Sequence, residues 1–421
     1  MRKRSNSAAE ERRQKKRKLD EKLSPLSSLP DEMIVSCLAR VSRSDLAAMS
    51  VVSKRYRSLV TSPELYKTRS ELGCVENFLY ACLLTPPDPS PRWFVFRRGK
   101  PLFPIPSLPS QAPEASSVVV LDWGIYVIGG CIKGRPTSDV WLLDCRTHTW
   151  HYAPSMAVPR AAPAVGVIGG KIYVFGGCWG DKVDSLDWAE VFDPKTQTWD
   201  TLPPMPDRKM RTLHIHDSIV VREDKVYAIV GKDKTYYYSA SEGQWGRATT
   251  TPPQRNPRDW CVIDKLIYCV DSKGNLCWCE PEDLDREPQG MYYWRRVKGL
   301  DSLNKKTLST SRLVHFGARL KALWEARKIP NASNKNLIDM LPGARLSTCG
   351  GNLVLFWDVI EGDQLEIWFA EISLERRKGP EMLANILGPE MWGNIVSSHF
   401  VMTVDPFLDH YKVLHSVSVT L

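Results

Sequence analysis

Near the N-terminus, over residues 24–69, apolar residues recur at helical spacing. The segment Asp31–Arg40 places its apolar side chains on one face of a predicted helix. These side chains are Met33, Ile34, Cys37 and Leu38. Further short helices are predicted at Ser44, at Ser53 and at Ser62-Pro63, because serine caps helix N-termini and proline suits the first helical position. Three or four such helices make a module with little core of its own, so we expect part of its apolar surface to cover a partner.

From residue 78 onward the pattern changes to short strands, glycine pairs and regularly placed tryptophans. Three segments share one pattern: IYVIGG at Ile125–Gly130, IYVFGG at Ile172–Gly177 and VYAIVG at Val226–Gly231. Two more, Ile267–Ser272 and Leu353–Asp358, keep the strand character and lose the glycines. Each segment is followed by another strand and then by a tryptophan. These are Trp150, Trp199, Trp245, Trp294 and Trp392. Strands that recur every ~40–50 residues are typical of a β-propeller, in which each repeat is a four-stranded blade.

The two ends of the chain are predicted to build one further blade together. Phe78–Leu84 and Arg92–Phe96 resemble the third and fourth strands of a blade whose first two strands are missing there. The missing strands are predicted at His399–Val404 and Tyr411–Leu421. Five internal blades and this composite blade give a six-bladed ring. A stretch near Leu300–Leu341 exceeds the repeat length and is interpreted as an insertion.

The predicted fold is therefore α+β multidomain, with a small all-α module over residues 24–70 and an all-β propeller over residues 78–421. The helical module resembles an F-box. The residues that carry this resemblance are Leu29-Pro30-Asp31-Glu32, Ile34, Leu38, Ser44-Asp45-Leu46, Val51, Lys54-Arg55-Tyr56-Arg57-Ser58-Leu59 and Ser62-Pro63. Tyr56 stands where that family more often has tryptophan. The repeats resemble kelch motifs, best from Pro159-Arg160 through GGKIYVFGG to Trp199. Together the two modules look like a plant F-box/kelch-repeat protein.

This resemblance implies a function without catalysis. Members of the family bind a Skp-type adaptor through the F-box and, through it, a cullin scaffold, while the propeller holds a target protein. The chain is therefore expected to be the substrate-recognition subunit of an SCF-type E3 ubiquitin-protein ligase, with no cofactor and an unidentified target. Adaptor contacts are expected at Leu29, Pro30, Ile34, Leu38, Leu46, Val51 and Tyr56.

A target-binding site is suggested by arginines that precede the first strand of three successive blades. They are Arg160, Arg211 and Arg258, the last followed by Trp260. The repeat geometry puts them on one face, near the central channel. Guanidinium groups pair well with carboxylate or phosphate, and tryptophan is enriched at binding hot spots. The alternative is that each arginine pairs with a carboxylate of a neighbouring blade and holds the ring together.

Two other classes of protein are compatible with a kelch-like propeller. A copper oxidase or a sugar-active enzyme would need a convergent cluster of His, Tyr and Cys at the axis, whereas the chain has eight His and no CxxC pairs with zinc spacing. No metal site is therefore expected. A scaffold without a ligase role would leave the F-box pattern unexplained. Binding of a Skp-type adaptor distinguishes these classes.

Charge is concentrated in the N-terminal tail. The formal net charge is +9, of which residues 1–22 contribute +6 from ten basic and four acidic residues. We predict that this tail is disordered, since it has no periodic apolar residues. Its basic clusters are Lys3-Arg4 and Lys15-Lys16-Arg17-Lys18. Their spacing resembles a bipartite nuclear import signal, so nuclear localisation is expected, with the cytoplasm as a second location; a merely solvated basic tail is the alternative.

Features of the rest of the chain argue against nucleic acid and a membrane as partners. Its net charge of only +3 argues against a broad nucleic-acid-binding face. No apolar run approaches the ~20 residues of a membrane span, and no apolar segment follows the basic N-terminus as in a secretory signal. The eleven cysteines are therefore expected to be reduced thiols.

Overall fold

The computed structural model divides into two compact units, a helical unit that ends at Glu76 and a β unit of Asn77–Thr420. It describes residues 29–84, 90–96, 102–113, 115–178, 188–204, 215–222, 224–230, 234–248, 260–270, 275–284, 294–301, 345–361, 364–378, 389–404 and 412–421. The predicted tail of residues 1–22 lies outside this range, as does nearly all of the predicted insertion.

The described part of the helical unit holds four helices. They are α1 Asp31–Leu38, α2 Arg43–Val52, α3 Lys54–Val60 and α4 Pro63–Glu71. Ser53 caps α3, as predicted, by accepting a hydrogen bond from the Tyr56 amide. The helix α4 begins at Pro63, as predicted, and there Ser62 accepts from the Leu65 amide. For α2 the predicted cap at Ser44 is wrong: the Ser42 hydroxyl accepts from the Asp45 amide at 3.3 Å. The helix therefore begins one residue before Ser44.

The core of the helical unit is one apolar cluster. Its buried members are Ile34, Val35, Leu38, Ala39, Leu46, Val60 and Leu65. The buried stripe of α1 runs through Ile34, Val35 and Leu38, whereas Met33 is 55% exposed and Cys37 is also exposed. The predicted face of α1 is thus rotated, because Val35 takes the inward position that the sequence analysis gave to Cys37.

The β unit contains twenty-six strands in its described part. In chain order they are β1 Asn77–Leu84, β2 Arg92–Phe96, β3 Phe103–Pro104, β4 Ser117–Leu121, β5 Gly124–Ile128, β6 Cys131–Ile132, β7 Arg135–Pro136, β8 Val140–Asp144, β9 Thr149–Ala153, β10 Ala164–Ile168, β11 Lys171–Phe175, β12 Ala189–Asp193, β13 Thr198–Thr201, β14 Ile215–Arg222, β15 Lys225–Val230, β16 Lys234–Ser239, β17 Gln244–Ala248, β18 Trp260–Ile263, β19 Leu266–Val270, β20 Leu276–Cys279, β21 Arg295–Arg296, β22 Arg345–Cys349, β23 Asn352–Glu361, β24 Gln364–Arg377, β25 Glu390–Val404 and β26 Lys412–Thr420. A short 3-10 helix, Pro281–Leu284, follows β20.

These strands form six antiparallel four-stranded sheets, which are the blades. Blade 1 is β4-β5-β8-β9, blade 2 is β10–β13, blade 3 is β14–β17, blade 4 is β18–β21, blade 5 is β22–β25, and the closing blade is β26-β1-β2-β3. The first strand of each blade lies beside the first strand of the next, in the order β4, β10, β14, β18, β22, β26 and back to β4. Within the described residues the ring is therefore closed, and the predicted six-bladed propeller is confirmed.

The closing blade contains strands from both ends of the chain, as predicted, but the number of strands from each end differs from the prediction. It takes one strand from the C-terminal side and three from the N-terminal side. His399–Val404, predicted as its first strand, is the end of β25 and pairs with β24 in blade 5. The repeat pattern does not reveal this division, because β25 runs for 15 residues, about three times the length of most blade strands, while β3 has only two.

Three of the repeated tryptophans connect successive blades. The indole N–H groups of Trp150, Trp199 and Trp245 donate to the carbonyl oxygens of Pro106, Pro154 and Pro203 at 2.8, 2.8 and 2.7 Å. Each tryptophan lies on the fourth strand of its blade, and each proline carbonyl lies in the connection that leaves the preceding blade. The repeat thus supplies one hydrogen bond across each of these three blade junctions.

The glycine pair of blade 1 is required by space as well as by conformation. Gly129 and Gly130 have φ values of 58° and 105°, which residues with a side chain rarely adopt. A Cβ on Gly129 would also lie 2.5 Å from the Arg160 carbonyl oxygen. This close approach brings the connection between blades 1 and 2 against the end of β5.

Candidate partner-binding surfaces

The helical unit exposes apolar side chains that its own core does not cover. Val51 and Val52, at the end of α2, are 74% and 72% exposed, and Met33 on α1 is 55% exposed. Pro30, the residue before α1, is exposed as well. Exposed apolar groups concentrated in so small a unit are typical of a protein interaction surface.

The residues predicted to contact an adaptor divide into three groups. Ile34, Leu38 and Leu46 are at most 2% exposed and form the unit's own core. Leu29 and Tyr56 are half-buried and pack against that core. Pro30 and Val51 are on the surface. The first group therefore supports the helices from inside, and only the last group is freely accessible.

Two exposed residues, Met33 and Val52, were missed by the sequence analysis. For Val52 a weak signal was present, because it is the second of two successive apolar residues at the end of a helix. Met33 gave no such signal, since its spacing from Cys37 fits a buried stripe equally well.

Two arginines hold loops of the helical unit in position. Arg69, 3% exposed, pairs with Glu76 at 2.8 Å between Nη2 and Oε1 and donates to the Val41 carbonyl at 2.6 Å. Arg55 pairs with Asp31 at 2.6 Å and donates to the Leu29 carbonyl at 2.8 Å. The Leu29-Pro30 segment is thereby held in position at the start of α1.

In the propeller, Arg160 does not reach the surface. It lies in the connection from β9 to β10, is completely buried, and places Nη2 at 2.6 Å from Glu190 Oε1. Its Nη1 donates to the carbonyls of Gly176 and Trp188, each at 2.8 Å. A guanidinium enclosed in this way cannot contact a target, so Arg160 is a structural tie, the alternative that the sequence analysis left open. Its partner Glu190 belongs to blade 2, the blade that Arg160 precedes.

The other members of the predicted target site are not described. Arg211 and Arg258 lie outside the described residues. Trp260 begins β18, but the position of its side chain is outside the description. Sharing of one site by these three residues therefore stays a prediction.

One feature at the same end of blade 1 was not predicted. The connection from β5 to β8 contains a small hairpin, in which Cys131 pairs with Pro136 and Ile132 with Arg135. In an antiparallel blade the connection between the second and third strands lies at the same end as the connection to the next blade, so this hairpin and Arg160 share one end of the propeller. Lys133 and Arg135 on the hairpin are exposed.

The cysteine-rich strand β20 belongs to the core. Cys277 and Cys279 are buried in one cluster with Cys269, and burial raises the pKa of the Cys279 thiol, which keeps it protonated and unreactive. Among the residues that the structure describes, no group of three His, Cys, Asp or Glu side chains could hold a metal ion. No helix in the described ranges is both long and apolar enough to cross a membrane.

Comparison with known proteins gives two family matches. Residues 26–68 match the F-box domain, and residues 94–340 match the FKB95 kelch-repeats domain. A protein of Arabidopsis thaliana that bears an F-box/kelch-repeat name is 38% identical over 404 residues, which cover 94% of this chain and 92% of the relative. A second F-box/kelch-repeat protein of Arabidopsis thaliana is 33% identical over 97% of this chain and 99% of the relative. The solved structure of YjhT covers 67% of this chain and 88% of its own, at 12% identity and a TM-score of 0.43.

Proposed function

We propose, because the chain belongs to the F-box/kelch-repeat family, that it is the substrate-recognition subunit of an SCF-type E3 ubiquitin-protein ligase. The observation that best supports this proposal is the apolar surface of the helical unit, where Val51 and Val52 are about three-quarters exposed. Apolar groups left uncovered by a small unit favour a stable protein partner. The partner proposed here is a Skp-type adaptor, which would connect the chain to a cullin scaffold.

In this proposal the chain performs no chemistry. The propeller holds the target, and the helical unit attaches that target to the ligase core, where a charged conjugating enzyme transfers ubiquitin. The contribution to the reaction is proximity, which converts a bimolecular encounter into transfer within one assembly. The ring of blades suits this task, because a rigid frame can present loops of variable sequence.

Adaptor binding can be tested with a charge placed on the proposed surface. Val51→Glu should weaken binding of a purified Skp-type adaptor by at least about 2 kcal/mol, which is more than tenfold in Kd. The combined Leu29→Ala and Pro30→Ala change should also weaken it. Calorimetry with the full chain measures both effects, and circular dichroism checks that the variants fold.

The matched control is Leu72→Glu, since Leu72 is an exposed apolar residue just after α4, on a different helix from Val51. Its adaptor affinity should equal that of the unaltered chain. Absence of any adaptor binding by the unaltered chain would reject the ligase proposal and leave an enzyme or a scaffold. Equal binding by all variants would reject this surface as the docking site.

For target capture, Arg211, Arg258 and Trp260 are the proposed contacts. Arg160 is excluded from this group because it is buried.

We also propose that the N-terminal basic clusters direct nuclear import. Replacing Lys15, Lys16, Arg17 and Lys18 by alanine should move a fluorescent fusion, too large to diffuse through nuclear pores, from nucleus to cytoplasm. An unchanged nuclear signal would contradict this assignment.

A further inference from the structure

The hairpin of β6 and β7 is preorganised by its own backbone. Its two turn residues, Lys133 and Gly134, have φ values of 52° and 72°. Positive φ at both central residues defines a type I′ turn, whose twist matches that of paired strands. The hairpin therefore has one defined conformation and does not need to be ordered by a ligand.

A ring of backbone hydrogen bonds fixes the base of this hairpin to the propeller. The Thr137 amide donates to the Gly130 carbonyl at 2.9 Å, and the Gly130 amide donates to the Arg160 carbonyl at 2.8 Å. The Arg160 amide closes the ring by donating to the Thr137 carbonyl at 3.0 Å. Since the Arg160 side chain is anchored by the buried Glu190, the ion pair between them holds the base of the hairpin rigidly.

Within the part of the chain that the structure describes, the hairpin presents cations without carboxylate partners. Lys133 and Arg135 are exposed, and neither forms an ion pair among the residues that the structure describes. Elsewhere in the propeller, two cations are paired within their own blade. Lys171 Nζ, which is partly exposed, lies 3.1 Å from Asp193 Oδ2, and Arg146 Nη2, which is mostly buried, lies 2.7 Å from Asp144 Oδ2. Two cations on a rigid projection, with no ion pair to any described residue, are available to an external anion.

We propose that the hairpin Cys131–Pro136 is a recognition element that binds an acidic segment of the target protein, one rich in aspartate and glutamate. This inference rests on the proposed function, because it assigns part of the surface that captures the target. Arg135 can form a forked pair with a carboxylate, and Lys133 adds a second charge at the tip. Preorganisation lowers the entropy lost on binding, so two modest ion pairs suffice to discriminate acidic segments from neutral ones.

The test measures binding of a fluorescently labelled poly-glutamate peptide to the full chain by anisotropy, at low and at physiological salt. The unaltered chain should bind the peptide, and the double variant Lys133→Glu/Arg135→Glu should bind it about tenfold more weakly. The same variant should gain affinity for poly-lysine. The hairpin carries these side chains outward, so the melting temperature should not change.

The matched control is Lys195→Glu/Arg247→Glu. Both residues are exposed and without an ion pair in the described part of the chain, and the change in net charge is identical. Lys195 lies in the turn between β12 and β13, at the end of the blade opposite to the hairpin. If this control loses as much affinity as the hairpin variant, binding is a general charge effect and the proposal is rejected.

Two further outcomes would also reject the proposal. One is binding of a phosphorylated neutral peptide in preference to poly-glutamate. The other is no binding of poly-glutamate by a chain that still binds the Skp-type adaptor. Adaptor binding is measured on the same preparations, so failure of the proposed function, in which the adaptor itself does not bind, is recognised separately.

Discussion

At the scale of single residues, the Arg160–Glu190 pair is the most deeply buried ion pair in the described part of the propeller. Arg160 and Glu190 are 0% and 1% exposed, so each charge depends on the other for compensation. Glu190 also accepts from the backbone amides of Ala157 and Val158, at 2.7 and 3.3 Å. The pair therefore organises the whole connection between blades 1 and 2.

Removal of one partner should be costly. Arg160→Met leaves a buried carboxylate without a cation, and breaking a buried pair in this way costs about 3–5 kcal/mol. The free energy of unfolding, measured by chemical denaturation followed by circular dichroism, should fall by this amount. The double variant Arg160→Met/Glu190→Leu should be more stable than Arg160→Met alone, because no uncompensated charge remains. Unchanged stability of Arg160→Met would contradict the role of Arg160 as a tie.

At the scale of elements, the fourth-strand tryptophans of blades 1, 2 and 3 each bond to the connection that leaves the preceding blade. Trp199 illustrates the arrangement: its Nε1 donates to the Pro154 carbonyl at 2.8 Å, and its ring packs on Phe192 with the centroids 5.0 Å apart. One residue type thus supplies both a hydrogen bond across the blade junction and apolar contact within the blade.

Trp199→Phe should keep part of the ring contact and lose the hydrogen bond. A net loss of about 0.5–1.5 kcal/mol is expected from the bond alone, and the smaller ring adds to it. Trp141→Phe is the control, because the Trp141 indole makes no such bond in the described ranges and contacts the exposed Tyr152 instead. Thermal unfolding should separate the two variants, and equal melting temperatures would show that the bond to Pro154 contributes nothing.

The strands and helices also show which parts of the fold could be predicted from the sequence and which could not. Strands such as β5 and β11 were predictable because the Ile-Tyr-Val-x-Gly-Gly pattern repeats. The exact composition of the closing blade was not, since β3 is shorter and β25 longer than the repeat suggests. Periodicity indicates which positions of α1 are apolar but not whether a core or a partner covers them. For Arg160, a loop position was compatible with either a target or an internal carboxylate, and only the fold brings Glu190 to it.

At the scale of the whole molecule, the ring depends on strand β26. β26 pairs with β1 from Asn77↔Thr420 to Leu84↔Lys412, and the Ser416 hydroxyl donates to the Ser347 hydroxyl at 3.0 Å across to blade 5. β26 also lies beside β4 of blade 1. One C-terminal strand therefore completes a sheet and lies next to the first strands of both neighbouring blades.

Deletion of Lys412–Leu421 should open the ring. β1 would lose β26, its partner on one side, and present a free sheet edge, which promotes aggregation. The first strands of blades 1 and 5 would also lose their shared neighbour. We expect a broad, less cooperative thermal transition and soluble oligomers by size-exclusion chromatography. Val417→Pro should act in the same direction, because proline removes a backbone donor from the interior of the strand. A chain without residues 1–22 is the control for shortening and should melt like the full chain. If the C-terminal deletion also melts like the full chain, the ring does not need β26.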